Sequence, residues 1–181
     1  MPRIVMPDIA TMSDEQRAVH DEAVAGRRGR VPAPMRAWLQ SPQLAGRAQR
    51  LGEFVRYETG LPARLSELAI LVTARYWTSQ FEWYAHKSEA LKAQVDPAVI
   101  DAIARREPPP FTRDDEHLVY RFSKALHEDH VVSDDLYSAC VASLGERSVV
   151  ELVGLLGYYT LVAMTLNVFE FGAPEDAELL A

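Results

Sequence analysis

Eighteen consecutive residues, Leu152 to Phe169, carry no formal charge. A run of that length meets the requirement for a membrane-spanning helix, and it equally describes a helix buried on all sides in a protein core. Its content favours the core. Gly154, Gly157, Tyr158, Tyr159, Thr160, Thr165 and Asn167 interrupt the apolar side chains, and Glu151 and Glu170 bound the run with no basic flank, whereas spans are oriented by flanking Lys and Arg. We read it as a core or subunit-contact helix. Gly154-x-x-Gly157 follows no strand, so it marks close helix packing rather than a nucleotide loop. Tyr158 and Asn167 are polar groups that need partners if that helix is buried.

The rest of the chain is punctuated for helices as well. Ser13 with Gln16 forms a capping-box start for a polar helix to about Ala25, which GRRGRVPAP (26–34) then breaks. Leu44, Ala48, Leu51, Phe54 and Val55 repeat at helical spacing to Tyr57, and Leu65, Leu68, Leu71 and Val72 repeat after Leu61-Pro62-Ala63. Further helices are expected from Ser79 to Gln94, after Asp96-Pro97, from Thr112 (with Asp115 or Glu116) to about His130, and from Ser133 to Leu144. Ser148 with Glu151 reads as a second capping box before the apolar run. No segment alternates apolar and polar residues long enough for a sheet. The expectation is an all-α single domain over residues 1–181 with about eight helices.

Composition removes several function classes. Lys and Arg number 19 and Asp and Glu 26, a net charge of −7, which argues against nucleic acid as a partner. Cys140 is the single cysteine, so one chain holds no disulfide framework, Cys-ligated zinc or two-cysteine redox centre; a buried, inert thiol is expected. The N-terminal MPRIVMPDIATM lacks a signal-type apolar stretch, and a cytoplasmic protein without a membrane partner is the expectation. His127 and His130 fall at a helix C-terminus, where the dipole favours cations. His20 and His117 have polar neighbours and are read as solvated. Arg27, Arg28 and Arg30 are read as a turn or subunit contact.

The densest polar constellation is ELAILVTARYWTSQFEWYAH, residues 67–86. Glu82 and His86 lie four apart and so share a helical face. Trp77, Phe81, Trp83 and Tyr84 surround them with the kind of lining a small-molecule pocket has. A carboxylate beside an imidazole stabilises the imidazolium, which then carries a proton to a reacting atom. The same residues admit plainer readings: Ser79-x-x-Glu82 as a capping box, or Glu82–His86 as a surface pair. Two carboxylates and an imidazole would also suit a divalent metal.

The segment resembles the signature of the carboxymuconolactone decarboxylase family, within the alkyl hydroperoxidase D-like superfamily. Its peroxidase branch carries a Glu, then Cys-x-x-Cys-x-x-x-His with the first Cys twelve residues on. From Glu67 the steps here are twelve to Ser79, fifteen to Glu82 and nineteen to His86, so the register fits and both cysteines are replaced. Arg30-Val-Pro-Ala-Pro, Ser41-Pro and Gly157-Tyr-Tyr-Thr-Leu extend the likeness to residues 26–171. A thiol peroxidase needs a thiolate and a resolving thiol, and Ser79 and Glu82 supply neither.

The resemblance implies the alkyl hydroperoxidase D-like helical fold, a homo-oligomer (trimer or hexamer) and a cofactor-free lyase or isomerase of aromatic catabolism. Its substrate would be a small organic acid or lactone that loses CO2. In those terms His86 is the acid, Glu67 and Glu82 its partners, Ser79 and Gln80 polar contacts, and Trp77 and Trp83 the pocket wall. Arg75 would hold the substrate carboxylate, with Arg30 and Arg36 as alternatives. No metal is called for. The competing expectation is a non-catalytic scaffold or small-ligand binder on the same fold.

Overall fold

The computed structural model describes residues 2–181. A 3₁₀ turn at Ile9–Thr11 precedes nine α-helices: α1 Asp14–Ala25, α2 Ala33–Trp38, α3 Pro42–Tyr57, α4 Ala63–Tyr76, α5 Gln80–Lys92, α6 Pro97–Arg105, α7 Asp114–Glu128, α8 Asp134–Leu144 and α9 Glu146–Val168. There is no strand among the described residues. The ninth helix beyond the expected count is α2: the break at 26–34 ends in Pro32, and Pro34 sits in the first turn, where its missing N–H costs nothing.

α4 is the central element. Every residue from Leu65 to Arg75 is buried, and Leu68, Ala69, Ile70, Leu71 and Ala74 have no exposed surface. Burying each such leucine or isoleucine contributes roughly 1.5–3 kcal/mol. α5, α7 and α9 pack around α4, and α9 also contacts α2, α3 and α8. Trp38 of α2 donates its indole N–H to the Thr165 hydroxyl of α9 at 2.9 Å. Arg64 at the start of α4 reaches Asp115 (2.7 Å) and the buried Glu116 (2.6 Å) of α7.

That contact also explains how α7 begins. Thr112 is not its cap; Arg113 occupies the cap position without a side-chain bond, and Asp114, Asp115 and Glu116 supply the negative charge that a helix N-terminus favours. Ser133 caps α8 as expected, its hydroxyl accepting from the Leu136 N–H.

α9 differs from its expected start. Gly145, at φ +83°, both ends α8 and opens α9, a conformation that favours glycine. Ser148 and Glu151 form no capping box. The Glu151 carboxylate instead accepts from the Gly60 N–H and from Arg147, each at 2.7 Å. The helix is long and apolar enough to cross a membrane, yet most of its apolar window is packed inside the fold. Its outward stripe, Val150 (71% exposed), Val153, Gly157, Met164 and Val168, stays open. Asn167 is exposed rather than buried, and it donates to the Trp77 carbonyl at 2.8 Å.

Beyond α9 the chain returns to the α4–α5 corner. Gln80 exchanges two hydrogen bonds with the Leu180 backbone (2.8 and 3.0 Å), Lys87 meets Glu178 at 2.7 Å, and the Leu180 side chain is buried.

Candidate active site

The link between α4 and α5 is three residues, Trp77-Thr78-Ser79. Ser79 donates its N–H to the Ala74 carbonyl at 2.8 Å, and Thr78 takes φ +46°, a costly value for a β-branched residue. This tight reversal lays α5 along α4, so that Glu67 and His86, each about two to three turns from the link, come level. His86 Nδ1 lies 2.6 Å from Glu67 Oε2, and both residues are only 7% exposed.

Arg56 of α3 stands behind the carboxylate, its Nη2 at 3.8 Å from Glu67 and 3.7 Å from Glu89. Tyr159 of α9 sets its ring edge against the imidazole, with centroids 5.0 Å apart and planes at 86°. With Nδ1–H donated to Glu67, His86 Nε2 is the nitrogen available for proton transfer. The pair therefore has the form of an oriented acid–base: the carboxylate fixes the ring and leaves the far nitrogen unbonded.

Glu82 does not join the pair. It shares His86's side of α5, but Glu67 reaches the imidazole first, from α4. Glu82 is 1% exposed, neither carboxylate oxygen has a hydrogen-bond partner, and burial pushes its carboxyl well above the usual range. It lies within electrostatic reach of Tyr158. The expected Ser79–Glu82 capping box is absent, because the Ser79 N–H that Glu82 would accept already serves Ala74. The hydroxyls of Ser79 and Tyr159 are also buried without partners, and burial pushes the Tyr159 phenol far up. Unsatisfied buried polar groups are rare in folded proteins, and four such atoms lie here, one at the N-cap of α5, two on Glu82 of α5 and one on α9.

Other expected contacts are used elsewhere. Gln80 serves the C-terminal segment. Trp83 is 2% exposed in the core, and Trp77 is half-buried at the corner, its ring edge-on to Tyr76. Arg75 faces a different cleft, with Arg106, and donates to Thr78 and to the main-chain oxygen of Ala181. Arg30 and Arg36 are exposed. Among the described residues no three His, Cys, Asp or Glu side chains group as a metal-ligand set. Cys140 is buried on α8, its thiol pushed up by burial. His127 is not a charged helix-end residue: it is buried, stacks on Tyr76 at 4.9 Å, and burial lowers its pKa. The Thr73 hydroxyl donates to the Ala69 carbonyl and so accepts from His127 Nε2–H. His20 is mostly buried beside Asp21, and His117 is exposed, stacked on Phe111.

Sequence reading missed Arg56, Tyr159, Arg28 and Gly52. Tyr158 packs edge-on to Tyr159 and Trp38, with Arg28 beside it, and Arg28 donates to the Gly52 carbonyl at 3.4 Å. The consecutive tyrosines inside an apolar helix were the available signal. Arg28 also lines a cleft of about 20 Å³ with Gln49, Glu53 and Tyr57. Neither this cleft nor two others, of about 90 and 380 Å³, is lined by Glu67, Glu82 or His86.

No protein-family profile matches the sequence, and no curated protein is a significant sequence match. Solved structures do match. An uncharacterized peroxidase-related protein from Ralstonia eutropha JMP134, described as an alkylhydroperoxidase AhpD core, aligns with TM-score 0.77 at 16% identity, over 97% of this chain and 93% of that one. A peroxidase-related protein from Silicibacter sp. TM1040 aligns with TM-score 0.71 at 13% identity, covering 93% and 90%. The debrominase Bmp8, solved as a cysteine-to-alanine variant with 2,3,4-tribromopyrrole, gives 0.69 at 11% identity, covering 97% and 91%. The fold is therefore the AhpD-like helical fold.

Proposed function

We propose that this chain is a cofactor-free acid–base enzyme of the carboxymuconolactone decarboxylase type, acting on a small organic acid or lactone, with His86 as the proton carrier. The observation that carries the reading is the buried 2.6 Å contact between His86 Nδ1 and Glu67. In a decarboxylation, CO2 leaves and its bonding electron pair remains on the substrate as a dienolate. His86 Nε2–H then protonates carbon, Glu67 supports the imidazolium beforehand, and solvent restores the proton. General acid catalysis of this kind contributes roughly 10²–10⁴-fold. Arg28 and Arg56 are the cations nearest the tyrosines and the pair, and they replace Arg75 as candidates for holding a substrate carboxylate. Thiol peroxidase chemistry has no residue here, since Ser79 and Glu82 stand at the two cysteine positions.

A second reading, a ligand-binding or scaffold protein on the same fold, is favoured by one feature: Glu67 and His86 are each only 7% exposed. The two separate on one assay. CO2 release from 4-carboxymuconolactone is followed for the native protein, His86→Ala and Glu67→Gln, with circular dichroism as a fold control. Turnover that falls at least 10²-fold in His86→Ala supports the lyase. A native protein silent on this and related lactones supports the binder. We further assign the open stripe of α9, with Leu51 and Phe54 of α3, to contact with another copy of the chain.

A further inference from the structure

Arg28 comes from the connection between α1 and α2 and is half-buried in the cleft that this connection makes with α3. It makes one long hydrogen bond, 3.4 Å, to the Gly52 carbonyl. Among the described residues no carboxylate lies within ion-pair distance of it, and Glu53, on the cleft wall, does not reach it. The polar groups around its guanidinium are the phenols of Tyr57, Tyr158 and Tyr159, which carry no charge at neutral pH. The neighbouring arginines are differently placed. Arg27 is exposed over the Tyr57 ring, 5.6 Å from its centroid. Arg56 has Glu67 at 3.8 Å and Glu89 at 3.7 Å. Arg28 is therefore the half-buried cation of this region that has no anion, and burying a charge without a partner is costly.

The Tyr159 hydroxyl is a second, independent observation. The residue is 2% exposed, and its oxygen is buried without a hydrogen-bond partner. Arg56 and Arg28 are the cations that act on it, and Glu67, the carboxylate that acts on it, is engaged with His86 and Arg56. A phenol beside cations turns its oxygen toward them and its proton away, so what it lacks is an acceptor. A guanidinium likewise offers donors only, in a fork that matches two oxygens on one centre. Both groups call for the same chemistry. Their placement ties them to the acid–base pair: Tyr158 packs edge-on to Tyr159 with ring centroids 5.3 Å apart, and Tyr159 edge-on to His86 at 5.0 Å. The series Arg28, Tyr158, Tyr159, His86 thus leads from the cleft to the imidazole. The cleft holds about 20 Å³, where one water needs about 10–15 Å³, so it admits the carboxylate end of an acid.

We propose that Arg28 and the Tyr159 hydroxyl together bind one carboxylate of a small organic acid, which enters by the cleft between α3 and the α1–α2 connection and points its other end at His86. Arg28, not Arg56, is the anchor, because Arg56 already serves two carboxylates. One free cation holds one carboxylate. In the lyase reading, on which this assignment rests for its chemistry, the carboxylate at Arg28 is the one the product keeps, and the one lost as CO2 has no cation holding it.

Benzoate and cyclohexanecarboxylate, each beside its neutral amide, are titrated into the full chain by calorimetry, at ionic strength held constant with sodium chloride. Thermal unfolding is followed in the same solutions. The expected result is saturable binding of one acid per chain, at least tenfold tighter than its amide, with a melting temperature that rises with acid concentration. Arg28→Gln should weaken binding at least tenfold. Tyr159→Phe removes the hydroxyl and keeps the ring: it should weaken binding at least fivefold while the ligand-free protein melts no lower than the native one, since an unpartnered buried group is gone. A hydroxyl with a purely structural role would lower the melting temperature and leave binding alone. Arg50→Gln, which takes the same charge from an exposed pair with Glu22, should bind as the native protein does. Acid binding without CO2 release from any lactone would sink the lyase reading and leave this site standing. Neither acid binding better than its amide, or Tyr159→Phe and Arg28→Gln both binding as the native chain does, would overturn the proposal even if turnover is found.

Discussion

Gly52 is small because Tyr158 needs the room. A Cβ built at residue 52 would sit 2.1 Å from the Tyr158 hydroxyl oxygen and 2.4 Å from its ring carbon Cζ, well inside contact distance. Gly52→Ala should therefore destabilise the fold by about 1–3 kcal/mol, as overpacking does, although alanine is the better helix former. In a Tyr158→Ala background the penalty should vanish, and urea unfolding of the four proteins in that cycle measures the coupling. Glu82 poses the opposite case, a group that costs stability where it stands. Its folded pKa is raised, so its contribution is fully present below the unfolded value of about 4.3 and is lost as pH rises through the folded value. Glu82→Gln keeps the shape of the neutral acid. It should match the native protein near pH 4 and exceed its stability near pH 8 by about 1–3 kcal/mol. Equal stabilities at both pH values would mean that Glu82 is not held neutral.

Three capping boxes were legible in the sequence, and only one forms. Ser13 and Gln16 exchange both bonds (3.3 and 3.0 Å) at an exposed helix start, and the Gln16 side-chain amide N–H is still free to donate to the Leu39 carbonyl at 3.0 Å. At Ser79 and at Ser148 the groups are taken by other partners: the Ala74 carbonyl, five residues back in the α4 terminus, claims the Ser79 N–H, and Arg147, one turn earlier, and the distant Gly60 claim Glu151. The local pattern holds where both of its groups are left to each other and fails where one of them has another partner. The Glu151 contacts tie the α3–α4 loop to α9 and hold its carboxyl below the usual range against the opposing effect of burial. That stability is present above the unfolded pKa and is lost as pH falls through the folded one. Glu151→Gln should cost about 1–3 kcal/mol near pH 7, and the difference should disappear near pH 3 in denaturant titrations.

At the scale of the molecule, helix type and order were readable because apolar periodicity and Pro or Gly breaks mark nearly every element; α2 was hidden inside a segment whose prolines read as a break. The Glu67–His86 pair was readable from its register. Arg56, Tyr159 and Arg28 were not, since α3, α9 and the α1–α2 connection meet α4 and α5 only through the tertiary fold. The open stripe of α9 makes a prediction at this scale too. Light scattering should find the native chain as an oligomer and Val153→Glu/Met164→Glu as a monomer with unchanged helix content. A monomeric native chain would end that assignment.

The packing of α9 on α4 also sets a schedule. Leu65 to Arg75 of α4 are buried by α5, α7 and α9 together, and the last of these starts only at Glu146. At about 5–20 residues per second of synthesis, α4 waits roughly 4–20 s for its partner to be made. Until then the side of α4 that faces α9 has no permanent cover, and α9 emerges as a long apolar stretch. Core closure is thus a late event in the life of each chain, and a ribosome that stalls between the two helices leaves a client for chaperones.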